Sequence, residues 1–131
     1  GIFPGGTVST GATPFARPMD PVWRGFSARM IQKSGAVVVP GWFDGANSRL
    51  FQVASHVHPT LRMGLLMREF RRRLDGPVRL AIGAPIRAGA LAGFGTGTEM
   101  MDFLRRTTYG LSPKPLDPGR LGHEFEDHHR R

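Results

Sequence analysis

The chain has 131 residues, 18 Lys plus Arg against 10 Asp plus Glu for a formal net charge of +8, and no cysteine. That length suits one domain with a core of ordinary size. The missing thiols exclude disulfides, thiolate zinc sites and iron–sulfur clusters, and they point to a reducing compartment.

Arginine supplies all of the basic charge except Lys33 and Lys114. Guanidinium groups suit phosphates, carboxylates and lipid headgroups, so an anionic partner is favoured. The most apolar run, AVVVPGWF, contains Pro40 and Gly41 and is too short to cross a bilayer.

In chain order, Ile2 and Phe3 read as the end of a strand, and Pro4 to Pro21 as a long ordered loop rich in Gly, Pro, Ser and Thr. Asp20 and Pro21 predict a helix start, Trp23, Phe26 and Met30 its apolar face, and Gly35 its end. AVVVP predicts a buried strand in the style of a parallel sheet, and GWFDGANSRLF a loop. In TLRMGLLMREFRRRL, Met63, Leu66, Met67, Phe70 and Leu74 fall at helical spacing, with Thr60 as the expected N-cap. Asp75-Gly76-Pro77 stops that helix, and VRLAI alternates as a strand. TEMMDFLRRTTYGL predicts a last helix with Met100, Met101, Leu104 and Tyr109 at apolar positions, and SPKPLDPGRLGHEFEDHHRR an extended polar tail.

Strands alternating with helices predict an α/β fold: a partial, largely parallel sheet with flanking helices. Three strands make such a sheet thin, so the chain reads as half of one, with an exposed edge or apolar patch that favours dimerisation. The expected division is residues 1–111 as the folded part and 112–131 as tail.

Several motifs fall short. Gly6 and Gly11 have P-loop glycine spacing, but Ala12 stands where the phosphate-binding lysine belongs. Gly93, Gly95 and Gly97 precede a helix without the spacing of a dinucleotide fingerprint. His56 and His58 lack a carboxylate at ligand spacing, and the tail group His123, Glu124, Asp127, His128 and His129 misses the helical zinc pattern, so no metal site is expected. The run Arg71 to Arg73 reads either as a solvated helix face or as a basic edge meeting anionic lipid headgroups or coenzyme phosphates. With twelve aromatics and no recognition motif, nucleic acid is the weaker alternative partner.

FPGGTVST resembles the third conserved block of the glycerolipid acyltransferase family, which typically reads Phe-Pro-Glu-Gly-Thr-Arg-Ser. The stretch from AVVVPGWF to RLAIGAPI resembles the block that follows, with a Val-Pro pair and a strand ending in Ile-Gly-x-Pro-Ile. The similarity is to the bacterial hemolysin-like lysophospholipid branch, and it covers about Ile2 to Tyr109. It implies that Phe3, Pro4, Gly6, Thr7 and Ser9 belong to the acceptor-binding block and Val39 and Pro40 to the next, with Gly5 adding a backbone donor. Gly5 replaces the usual glutamate, and Val8 replaces the arginine tied to an acceptor phosphate. Valine cannot pair with phosphate, so a lysolipid headgroup other than glycerol 3-phosphate is expected. Asp44, Asn47 and Arg49 are further candidates from their loop position after a strand.

The family uses a His and an Asp separated by four residues, the histidine as general base for the acceptor hydroxyl. Five positions after His56, His58 and His123 stand Leu61, Met63 and His128, so no histidine fits. The resemblance therefore implies a C-terminal half whose dyad lies upstream, with no catalytic residue of its own and no activity alone. No cofactor is expected to be bound. The implied acyl donor is acyl-CoA or acyl-carrier protein, the acceptor a lysolipid, and the location cytoplasmic and peripheral on the inner membrane. Arg68, Arg71, Arg72 and Arg73 are the expected membrane contacts. The implied partners are the N-terminal half and, possible from the half-sheet argument, a homodimer. The alternative is a non-catalytic basic module that binds anionic membrane surfaces or nucleic acid.

Overall fold

In the computed structural model, which describes residues 1–125, the elements run α1 (Gly25–Ser34), β1 (Gly41–Asp44), α2 (Arg49–Val57), α3 (Pro59–Arg73), β2 (Arg79–Ile82), α4 (Ala88–Leu91) and α5 (Gly97–Tyr109). Helices with one small sheet make the fold mixed α/β. The chain divides into two units: Gly1–Thr7, Trp23–Asp44 and Arg79–Gly119 form the first, and Val8–Val22, Gly45–Val78 and Arg120–Arg131 the second.

The first unit is built on α5. Thr96 and Glu99 stand three residues apart and close a capping box, each side chain accepting from the other's backbone N–H. Met100, Met101, Leu104 and Tyr109 then fall on one buried face, as the spacing predicts. α1 packs beside this helix and α4 against α1, and Tyr109 meets the ring of Trp42 edge-on at 4.9 Å between centroids.

The sheet differs from expectation. β1 and β2 pair antiparallel, Gly41 opposite Ile82 and Asp44 opposite Arg79, and no parallel pair exists among the described residues. AVVVP makes only an isolated bridge, Val38 to Ile86, while the strand begins after it, inside the segment expected as loop. Pro40 contributes to this: it has no N–H, and the ladder there is reduced to Gly83 N–H on Pro40 O and the paired bonds between Val38 and Ile86. One extra residue on the Gly83–Ile86 side makes a bulge. Ile2 and Phe3 form no strand and enter a turn at Pro4 and Gly5. The parallel expectation assumed that the segment between β1 and β2 is a crossover covering the sheet; instead its helices α2 and α3 pack on each other within the second unit.

α1 starts later than Asp20-Pro21 predicts, with Arg24 at its N-cap and no side-chain cap. Its end at Gly35, in the left-handed conformation, is as predicted. Of the expected apolar face only Trp23 is buried; Phe26 and Met30 are exposed, and the helix turns Ser27 and Ala28 inward.

The second unit joins α2 and α3 through His58, which ends the first helix and caps the second: its Nδ1 accepts from Thr60 N–H at 3.2 Å, with Pro59 in the first turn. His58, not Thr60, is therefore the cap. Phe51, Ala54 and Met19 are buried here beside Thr10, Gln52, Ser55, Arg62 and Glu69. α3 thus turns two charged side chains inward while Met63, Met67, Phe70 and Leu74 face out, the reverse of what their spacing predicts.

Candidate functional site

The residues of the acceptor block fall in both units. In the first, a turn is closed by Gly6 N–H on Phe3 O at 3.1 Å and is tied to the start of α1 by Arg24 N–H on Pro4 O at 3.3 Å. Gly5 is buried inside it. Gly6 has φ +67, a conformation that glycine adopts without strain. A Cβ on Gly6 would come within 3.6 Å of Arg24 Nε, so the guanidinium stem lies along the turn. Phe3 meets the ring of Phe43 on β1 with centroids 6.3 Å apart. Phe3, Phe43, Leu80 and Ile82 are all exposed. Gly41 and Phe43 face the same side as their partners Ile82 and Leu80, so this is one apolar face of the sheet.

Val39 is exposed and Pro40 buried, both on the bridged segment before β1, and Asp44 ends that strand half-buried. Thr7 is half-buried at the limit of this unit. The turn thus gathers Phe3, Pro4, Gly5 and Gly6 with Arg24 and Phe43. Arg24 and Phe43 were not among the predicted site residues: Arg24 reads in sequence only as a polar position on a helix.

In the second unit, the hydroxyl of Ser9 donates to Asp20 Oδ1, which accounts for the aspartate that sequence reading assigned to a helix cap. Asn47 is half-buried before α2 and Arg49 exposed at its start. Between them in sequence, Ser48 caps α2, its Oγ accepting from Phe51 N–H at 3.3 Å while donating to Glu69 Oε1 at 2.6 Å. Ser48 N–H donates to Glu69 Oε2 at 2.9 Å. Burial pushes the Glu69 carboxyl up, but these Ser48 bonds, with Arg72 and Arg73 nearby, outweigh it and hold the carboxyl below its ordinary value. A depressed carboxylate stabilises the fold above its unfolded pKa, and that contribution is lost as pH falls through the folded pKa. Thermal melts of the wild-type chain are therefore expected to lose stability on acidification from about pH 5, around and below the ordinary glutamate value of about 4.3. Glu69→Gln should flatten that dependence; an unchanged acid profile would contradict the assignment.

A buried polar cluster around Arg62 was not predicted at all. Arg62 is 8% exposed, and its Nη1 donates to Thr10 Oγ1 at 2.7 Å and to Ser55 Oγ at 3.2 Å, while Nη2 donates to Val8 O at 3.2 Å. The guanidinium lies over the rings of Phe51 and Phe125, at 5.3 and 4.1 Å from their centroids. Burial holds Arg62 below its ordinary pKa. The tail reaches this cluster: Gly122 N–H donates to Asp20 O and His123 N–H to Thr10 O, and His123 stacks edge-on to His56 at 4.8 Å. Nε2 of His56 bonds Gly11 O at 2.9 Å. No group of three metal-ligating side chains exists among the described residues. Asp127, His128 and His129 lie outside those residues.

Of the four arginines expected at a membrane, Arg68, Arg71 and Arg72 line one concave surface with Gly64 and Met67. Arg73 turns away and donates to Ala46 O. No helix among the described residues is long and apolar enough to cross a membrane. A scan of family models finds none that matches the chain, and searches of curated proteins and of solved structures find no similar sequence or fold.

Proposed function

We propose that the chain is the acceptor-side part of an acyltransferase whose parent moves a fatty acyl group from an acyl-CoA or acyl-carrier-protein thioester to a lysolipid hydroxyl at a membrane surface. The observation that carries this reading is the Phe3–Gly6 turn. Polar backbone and the Arg24 stem stand there against an exposed apolar face of Phe3, Phe43, Leu80 and Ile82. That pairing suits an amphipathic ligand, a polar headgroup joined to an acyl chain.

The base is not supplied by this segment, since no histidine has an aspartate at the required spacing. On this proposal the parent supplies the His/Asp pair from outside this segment, within a larger and more parallel sheet. Cytoplasmic, peripheral attachment to the inner membrane belongs to the same proposal. Ser9 on the second unit joins the proposal through its match to the family block; Asp44, at the end of β1 in the first unit, and Asn47 and Arg49, at the entry to α2 in the second, join it only through their place in the chain after the Val-Pro pair.

The test is acyl transfer from radiolabelled acyl-CoA and acyl-carrier protein to a panel of lysolipids. This chain alone is expected to give no turnover, and the longer polypeptide read from the preceding coding sequence to give it. Turnover by the chain alone would overturn the assignment of the base. A longer polypeptide without a His and an Asp four residues apart, and without turnover, would overturn the family reading. A second reading, a non-catalytic basic module on anionic membranes, draws on the outward face of α3 and predicts membrane binding with no turnover by either polypeptide.

A further inference from the structure

α3 is a helix of fifteen residues whose one acid, Glu69, is 5% exposed and held by Ser48. Its outward side therefore carries no exposed acidic group. At about 100° per residue, Met63, Met67, Phe70 and Leu74 fall within an arc of about 60°. They are 63%, 63%, 61% and 60% exposed, a ridge of large apolar side chains in water. One flank of that ridge is basic. Arg71, Arg68 and Arg72 follow around the helix, and with Met67 they line a depression whose floor is Gly64, where a Cβ would meet nothing within 4 Å.

We infer that α3 lies in the plane of an anionic bilayer, with Met63, Met67, Phe70 and Leu74 inserted among the acyl chains and Arg68 and Arg71 on lipid phosphates. Charge complementarity selects this occupant. An apolar stripe flanked by arginines, with the nearest exposed acid, Asp75, past the helix end, is the pattern of helices that bind in the interfacial plane, where each basic residue adds to attraction by anionic lipid. The Gly64 depression lies between Arg71 and Arg68, beside Met67 of the ridge, near the level at which phosphates sit when the ridge is among acyl chains. A partner copy of this chain, at net charge +8, would have to bring the same arginine flank against its like. This inference rests on the membrane part of the proposed function and not on its acyl-transfer chemistry.

The experiment is co-sedimentation of the chain with vesicles of phosphatidylcholine alone and of equimolar phosphatidylcholine and phosphatidylglycerol, at two salt concentrations. Binding to the mixed vesicles, weakened by salt and much weaker on the neutral ones, is expected. The pair Met67→Ser and Phe70→Ser is expected to weaken mixed-vesicle binding by roughly tenfold or more. Arg68→Gln and Arg71→Gln, in a separate variant, should weaken it by roughly fivefold per residue and erase the preference for phosphatidylglycerol. All four positions face outward, so circular dichroism should be unchanged, and the two variants report independently should one fail to fold. Equal binding to both vesicle types, or full binding by either folded variant, would overturn the inference. So would a dimer in solution that the Met67→Ser and Phe70→Ser pair dissociates, which would assign the ridge to a second copy. Vesicle binding without turnover in the longer polypeptide would leave α3 on the membrane and remove only the acyl-transfer reading.

Discussion

Arg62→Ala is expected to cost about 3 kcal/mol of folding stability, because it removes charged hydrogen bonds and leaves buried oxygen acceptors behind. The guanidinium reaches Thr10 Oγ1, Ser55 Oγ and Val8 O at once, joining the loop before α1 to α2 and α3. Its flat faces also lie on Phe51 and Phe125. Arg62→Lys keeps the charge but neither the fork nor the plane, so it should recover less than half of the loss. Urea denaturation of the three proteins measures this. A change below about 0.5 kcal/mol for Arg62→Ala, the range of an ordinary surface substitution, would refute the role given to the side chain.

Gly122→Ala is expected to detach the tail from the second unit. A Cβ at Gly122 would collide with Met19 O and come within 2.6 Å of Thr10 O, both of them backbone atoms that cannot turn aside. The bonds from Gly122 N–H to Asp20 O and from His123 N–H to Thr10 O would be lost, at about 1 kcal/mol each. Phe125 would leave the Arg62 guanidinium with them. Limited proteolysis should cut the variant after Arg120 much faster than the wild type, and the Thr10 and His123 amides should exchange faster. Equal cleavage rates would show that the tail is not held by this contact.

Helices α5 and α3 show what sequence alone conveys and what it does not. α5 was legible as a helix with its buried face, because apolar residues at helical spacing are a local signal; the capping box of Thr96 and Glu99 begins ahead of the expected segment and was not read. α3 was legible as a helix but not in orientation. Charged residues normally face water, so its apolar spacing predicted a buried face; the burial of Arg62 depends on partners at positions 8, 10, 55 and 125, which no local pattern connects. The parallel sheet failed for a related reason. Apolar β-branched residues in AVVVP suggest a central strand, but Pro40 lacks an N–H for the ladder, and the segment between the strands forms α2 and α3, packed on each other, instead of a crossover. In the candidate site, the glycine turn was readable from its composition. The neighbours that give it a surface, Arg24 and Phe43, come from later in the chain and were not.

The prolines that shorten the ladder also bear on solubility. A sheet of two strands of four residues has two open edges, and its Phe43, Leu80 and Ile82 face is exposed, a combination that invites strands of other molecules to add on. Asp44 and Arg79 put charge at one end of the pair, and Pro40 and Pro85 interrupt the run of donors at the other. An incoming strand would find too few consecutive backbone groups to grow a fibril. The exposed apolar face thus comes with a short, interrupted backbone edge, which disfavours the addition of further strands.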